Sequence, residues 1–161
     1  MIILHYKISI TLKNCYFWVQ RKMWHEKDLA TKRKFRYYKE VINPTLDDQK
    51  YLSILTSSKK KINIAKIRMN SHELHSETGR WKVPKTPWME RIYHFCENMN
   101  IEDENHFLLE CPMYNHIRAQ FHNLCCNTDL PSLLRCPNYS ELGRLLSKLF
   151  EHRNKILNQN K

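Results

Sequence analysis

Two thiols and an imidazole, Cys96, His106 and Cys111, are the residues in this sequence whose types and spacing best suit chemistry. A structural zinc site needs four such donors in a tetrahedron, usually two from a tight turn and two from a following helix or turn. A full set here would read C-x2-C-x9-H-x4-C, and the position of its first cysteine is held by Tyr93. The site is one ligand short. If zinc is the cofactor, the fourth position falls to His94, to a Tyr93 phenolate or to water. In the other reading Tyr93 fills the place of the lost thiolate, Cys96 and Cys111 are buried thiols, and His106 is a hydrogen-bonded core residue. An open fourth position is also what catalytic zinc uses, but nothing around Glu102, Glu104 and Glu110 outlines a substrate pocket.

Other groups carry less. His116, His122, Cys125, Cys126 and Cys136 form a second Cys/His-rich patch that reads as core thiols and surface imidazoles. The one adjacent Asp pair, Asp47-Asp48, sits where a helix should start, and a cap explains it better than a two-metal centre. No complete catalytic constellation is visible, and the chain reads as a non-enzyme.

Charge supplies the second lead. The formal net charge is +11 over 161 residues. Residues 1–92 hold 20 Lys/Arg against 8 Asp/Glu, and residues 93–161 hold 7 against 8. A basic half favours a polyanionic partner, RNA or DNA, because phosphate contacts release condensed counterions. Three patches present themselves. Lys32, Arg33, Lys34 and Arg36 lie among Phe35, Tyr37 and Tyr38; Lys59, Lys60, Lys61, Lys66 and Arg68 form a second group; Arg80, Lys82, Lys85 and Arg91 surround Trp81 and Trp88. Cations track phosphates while rings stack on bases. The plain alternative is a solvated basic surface with the rings in the core, and Arg68, Glu77 and Arg80 as internal ion-pair partners.

These residues need elements to hold them, and with only two glycines helices joined by Pro- and Asn-containing turns are favoured. The expected class is mainly α, a small helical domain with a Cys/His zinc-knuckle-like turn and a short N-terminal strand. Residues 1–19 form an N-terminal extension in which Tyr6–Lys13 alternates apolar and polar residues at a strand period, without a partner strand. Residues 20–57 are a basic helical region. It holds one helix from Gln20 to about Ile42, ending before Pro44, and a second opening on a capping box at Thr45–Asp48 and running through Leu55. Residues 58–126 open with a helix at Lys59–Lys61 whose inner face is Ile62, Ala65 and Met69. A loop over Glu77–Trp88 follows, then the Cys/His segment, then a helix from Pro112 to Cys126 with Tyr114, Ile117, Phe121 and Leu124 inward. Residues 127–161 are a loop and a last helix from Ser140, using Leu142, Leu145, Leu146, Leu149 and Ile156. Met1–Val19 is broken by His5, Lys7, Lys13 and Asn14, too polar for a bilayer span or a secretory signal. The expectation is therefore no membrane partner and an intracellular location, nucleus or cytoplasm, with reduced cysteines.

From about Leu52 to Phe121 the sequence resembles the zinc-binding region that follows the reverse transcriptase of non-LTR (LINE-type) retrotransposons. The resemblance rests on Ile64-Ala-Lys-Ile-Arg-Met-Asn-Ser-His72, Leu74, Glu77-Thr-Gly-Arg-Trp81, Arg91, Cys96, Ile101-Glu-Asp-Glu104, His106-Phe-Leu-Leu109, Cys111-Pro112, Tyr114 and Arg118. It covers somewhat under half the chain. It implies an accessory piece that grips template RNA or target DNA, with low sequence specificity, while an upstream reverse transcriptase domain polymerises. It also implies a detached or degenerate C-terminal fragment of such an element. The rival expectations are an inactive structural remnant and a helical protein-interaction module that binds no nucleic acid.

Overall fold

The computed structural model describes residues 36–45 and 47–159. The strand expected at Tyr6–Lys13, most of the helix expected from Gln20, and Lys32, Arg33 and Lys34 lie outside the described residues. The described residues are mainly helical and contain no strand, only one isolated antiparallel bridge between Ile92 and Ile101.

The first described helix ends in a π-helical turn over Tyr38–Ile42, closed by the Asn43 N–H on the Tyr38 carbonyl. It stops before Pro44, where the pre-proline restriction places a stop. The capping box expected at Thr45 does not form. Asn43 holds Asp47 from both sides, its Nδ2 donating to the Asp47 carbonyl (2.9 Å) and its Oδ1 accepting from the Asp47 N–H (3.1 Å). Thr45 bonds the Asp47 carboxylate instead of a helix N–H. Helix therefore begins late, at Tyr51–Ile54, with Tyr51 and Leu55 buried and Leu52 half-buried.

Helix α1 spans Ser58–Arg68 and is capped by Ser57, whose side chain accepts from the Lys60 N–H. Of the expected inner face of Ile62, Ala65 and Met69, only Ala65 is fully inside. Asn63, Ile64, Ala65, Ile67 and Arg68 are buried, while Ile62 and Met69 are half-buried. Helical periodicity misses this because Arg68 is drawn inward. Its guanidinium donates to Gln49 Oε1 (2.8 Å) and the Leu134 carbonyl, and lies over the Tyr51 and Tyr139 rings at 5.1 and 5.5 Å.

A short helix α2, Leu130–Arg135, occupies what the sequence leaves as loop. Asp129 caps it through the Ser132 N–H (2.8 Å), and it packs on the Tyr38–Ile42 turn. The last helix, α3, runs Tyr139–Gln159 and buries Leu142, Leu145, Leu146, Leu149 and Ile156 as their spacing predicts, with Phe150 and Arg153 added. It lies along α1. Gly143 marks the close approach, since a Cβ there would stand 2.9 Å from the Lys60 Cβ. One turn on, Asn63 Nδ2 donates to Ser147 Oγ (3.2 Å).

Between them, the helix expected from Pro112 is a broken helical path, with single turns at Pro112–Tyr114, Asn115–Arg118, Ala119–Phe121 and His122–Cys125. Pro112 leads it, and Tyr114, Ile117, Phe121 and Leu124 are all buried, as the spacing predicts. One hydrophobic cluster runs from Ile42 to Phe150. The core therefore crosses the sequence boundaries at 57/58 and 126/127. Among the described residues, no helix is long and apolar enough to cross a membrane.

Candidate metal centre and nucleic-acid interface

The Cys/His segment is a small hairpin-like knuckle. Its two arms are tied by Tyr93 N–H to the Asn100 carbonyl (2.9 Å) and Glu102 N–H to the Arg91 carbonyl (2.8 Å). Between the arms the Cys96 N–H closes on the Tyr93 carbonyl (3.0 Å), and Met99, at φ 49°, turns the chain back. After the second arm Asp103 Oδ1 accepts from the His106 N–H (2.8 Å) and starts a π-helical turn over His106–Glu110. The Cys111 N–H then bonds the His106 carbonyl at 2.7 Å, so this wide turn brings together two residues five apart.

The result is a trio. The ligand atoms of Cys96, His106 and Cys111 all lie within 4.8 Å of one another, and all three residues are buried. Such a group could hold a metal ion. Nε2 of His106 is buried without a hydrogen-bond partner, a deficit that a coordinated ion would remove. Burial holds the His106 imidazole below its ordinary pKa. Burial also pushes the Cys111 thiol up to about 12, helped by the Cys96 thiol beside it. A bound cation would reverse the thiol shift by deprotonating it.

Tyr93 closes the place of the missing ligand. It is fully buried, with its ring stacked on Tyr114 at 6.2 Å and edge-on to Phe95 at 5.7 Å. Its hydroxyl accepts from the Tyr114 hydroxyl (3.0 Å), and burial raises its pKa. The burial outweighs the bond from Tyr114, which acts the other way, and opposes a phenolate ligand. His94 does not supply the fourth ligand either. It is exposed, 6.4 Å from the His75 ring, and belongs to a different cleft. The second Cys/His patch does not converge: His116 faces His152 at 4.8 Å, and among the described residues no second trio of metal-ligating groups forms.

A buried ion pair fixes the knuckle to α3. Arg153 donates to both carboxylate oxygens of Glu102 (2.6 and 2.9 Å) and to the Glu73 carbonyl (3.1 Å). The same carboxylate accepts from the His75 N–H (2.8 Å). The sequence carried no signal for this pair, 51 residues apart, because Arg153 stands in α3 beside polar neighbours. A neighbouring pair joins His72 Nε2 to Glu104 at 2.5 Å.

The basic residues divide by what they touch. Arg68 is buried and spent on the core, so its place in a phosphate-binding patch is corrected by the tyrosine and carbonyl contacts that hold it. Lys59 pairs with Glu151 (2.6 Å), Lys66 with Glu73 (2.8 Å), Arg36 with Glu40 (3.9 Å) and Arg80 with the buried Glu77 (3.1 Å). Lys60 and Lys61 are half-buried along α1. Arg91 is half-buried, with Nε and Nη2 on the Thr86 carbonyl (3.0 and 2.9 Å), Nη1 on the Ser76 carbonyl (2.8 Å), and Trp88 at 5.5 Å.

Lys82 and Lys85 remain. Both are exposed, and among the described residues neither has an ion-pair partner. They share their loop with Trp81 (70% exposed) and Trp88 (48% exposed). Trp81 is tethered through Nε1 to Glu77 Oε1 (3.0 Å), which leaves its ring outward. Comparison with models of protein families, with curated proteins and with solved structures returns no match.

Proposed function

We propose that this chain is a nucleic-acid-binding accessory module, taking RNA or DNA with low sequence specificity, of the kind that follows the reverse transcriptase of non-LTR retrotransposons. The observation that carries the reading is the loop from Trp81 to Trp88. It gathers two exposed indole rings and two uncompensated lysines in one loop directly ahead of the knuckle. Folded proteins normally bury tryptophan, and rings held outward among cations are the arrangement that stacks bases and tracks a backbone. Filter binding of single-stranded RNA and of duplex DNA at two salt concentrations tests it. Tight binding that falls steeply with salt is expected, and absent or salt-insensitive binding rejects it.

In this reading the metal is zinc, held by Cys96, His106 and Cys111. Zinc–sulfur and zinc–nitrogen bonds of about 2.3 and 2.0 Å place ligand atoms roughly 3.5–3.8 Å apart, so a trio within 4.8 Å needs to tighten by about 1.3 Å at most. Zinc here would brace the knuckle that carries the loop. Metal content of the purified protein is the check, with about one zinc per chain expected and none in Cys96→Ser.

The same loop also exposes Val83 (98%), and Met89 (73%) follows it in the turn Trp88–Glu90. A protein-contact surface is therefore the second reading. Self-association without nucleic-acid binding would favour it.

A further inference from the structure

Where α3 packs on the turn Asn115–Arg118, two imidazoles from distant parts of the chain come face to face. The rings of His116 and His152 have centres 4.8 Å apart and planes inclined at 66°. His152 is half-buried and also meets the Tyr114 ring edge-on at 5.9 Å, whereas His116 is exposed. Neither ring is committed elsewhere. The hydrogen bonds and ion pairs made by imidazoles among the described residues are those of His72, His75 and His106, and the ring nitrogens of His116 and His152 make none. One ring is thus seated by its neighbours, and the other is able to turn toward it.

The separation fits chelation. A metal–nitrogen bond of about 2.0–2.1 Å sets an ion about 3.2 Å from a ring centre, so two rings in neighbouring coordination positions have centres roughly 4.5–5.2 Å apart. The lone pair of an imidazole nitrogen lies in the ring plane. Planes inclined at 66° cross along a line on which one ion faces both rings, whereas parallel rings share no such line. The other imidazole pair fails this comparison: His75 and His94 stand 6.4 Å apart, and His75 Nδ1 is engaged by the Ile92 carbonyl at 2.8 Å. Burial, then the neighbouring His116 and Lys155, holds His152 below its ordinary pKa. The ring is therefore neutral near neutral pH, the form that ligates a metal.

We propose that His116 and His152 chelate one divalent transition-metal ion of the class that imidazole prefers (zinc, nickel or copper), with water completing its shell. The ion clips α3 to the helical path that follows Pro112. Arg153, the next residue in the chain, already ties α3 to the knuckle through Glu102, so the two adjacent residues fasten the helix to two different elements. The site contains no thiol and shares no residue with the trio of Cys96, His106 and Cys111. It depends on neither the zinc nor the nucleic-acid reading of that segment.

Nickel(II) is the probe, because it takes imidazole readily while thiolate sites select softer ions. The full chain is titrated with it, and the histidine ring resonances are followed by NMR, which a paramagnetic ion broadens. His116 and His152 should lose intensity together, at nickel concentrations on the order of tenfold below those that affect His75 and His94, because one ion held by two rings gains from the second as an intramolecular ligand. In His116→Ala the response of His152 should move to about tenfold higher nickel, and in His152→Ala that of His116 should move likewise. Two rings that respond at different nickel concentrations, a response at one ring that loss of the other leaves unchanged, or no response at either would each overturn the proposal.

Discussion

Tyr93 decides how the knuckle stands without its fourth ligand. Its ring fills space beside Tyr114 and Phe95, and its hydroxyl satisfies that of Tyr114. Restoring the ligand by Tyr93→Cys removes that ring and orphans a buried hydroxyl. The metal-free variant should lose about 3–5 kcal/mol in urea unfolding, the range for large aromatic truncations. Excess zinc should return much of it, because a complete Cys3His site contributes folding free energy outright. A variant as stable as the parent without metal would show that Tyr93 is not packed as described. The sequence made the trio legible through spacing alone, because ligand order is a local pattern. It could not show that His94 turns outward, since side-chain direction at a turn depends on which arm the bridge at Ile92 and Ile101 pairs.

Elements here are locked by polar pairs that periodicity does not reveal. The apolar stripe of α3 was readable because Leu142, Leu145, Leu146 and Leu149 recur at helical spacing, and the same holds for Tyr114, Ile117, Phe121 and Leu124. Buried Arg68 and Arg153 were not, because a charge is placed inside only by partners distant in sequence. Arg153→Leu leaves Glu102 buried and unpaired, and should cost about 3–5 kcal/mol in the same unfolding assay. Replacing both partners with leucine should cost less than the single change. A single change without effect would mean that α3 does not anchor the knuckle.

Glu104 gives the knuckle a pH dependence. Burial is the largest single influence and opposes its ionisation, but the hydrogen bond from His72, the attraction of that ring and a backbone hydrogen bond together outweigh it and hold the carboxyl below the ordinary range. A depressed folded pKa means that the unfolded chain takes up the proton first. Stability from this group is therefore complete above about pH 4.5 and lost as pH falls from there through the folded value. Thermal unfolding of the protein and of Glu104→Gln should differ at pH 7 and converge toward pH 3. A difference independent of pH would contradict the pairing.

On the scale of the whole molecule, much of the positive charge among the described residues is buried or paired, and the Trp81–Trp88 loop is where unpaired lysines meet exposed indole rings. Composition showed the basic half but could not sort Arg68 in the core, or Lys59 and Lys66 in ion pairs, from Lys82 and Lys85 at the surface. The measurement that bears most directly on the account is the salt dependence of single-strand binding by the parent and by the Lys82→Ala/Lys85→Ala variant. The account predicts weaker binding by the variant and a slope of log K against log salt that is shallower by about 0.7 for each phosphate that the two lysines neutralise. An unchanged slope, or a parent that does not bind, would contradict it.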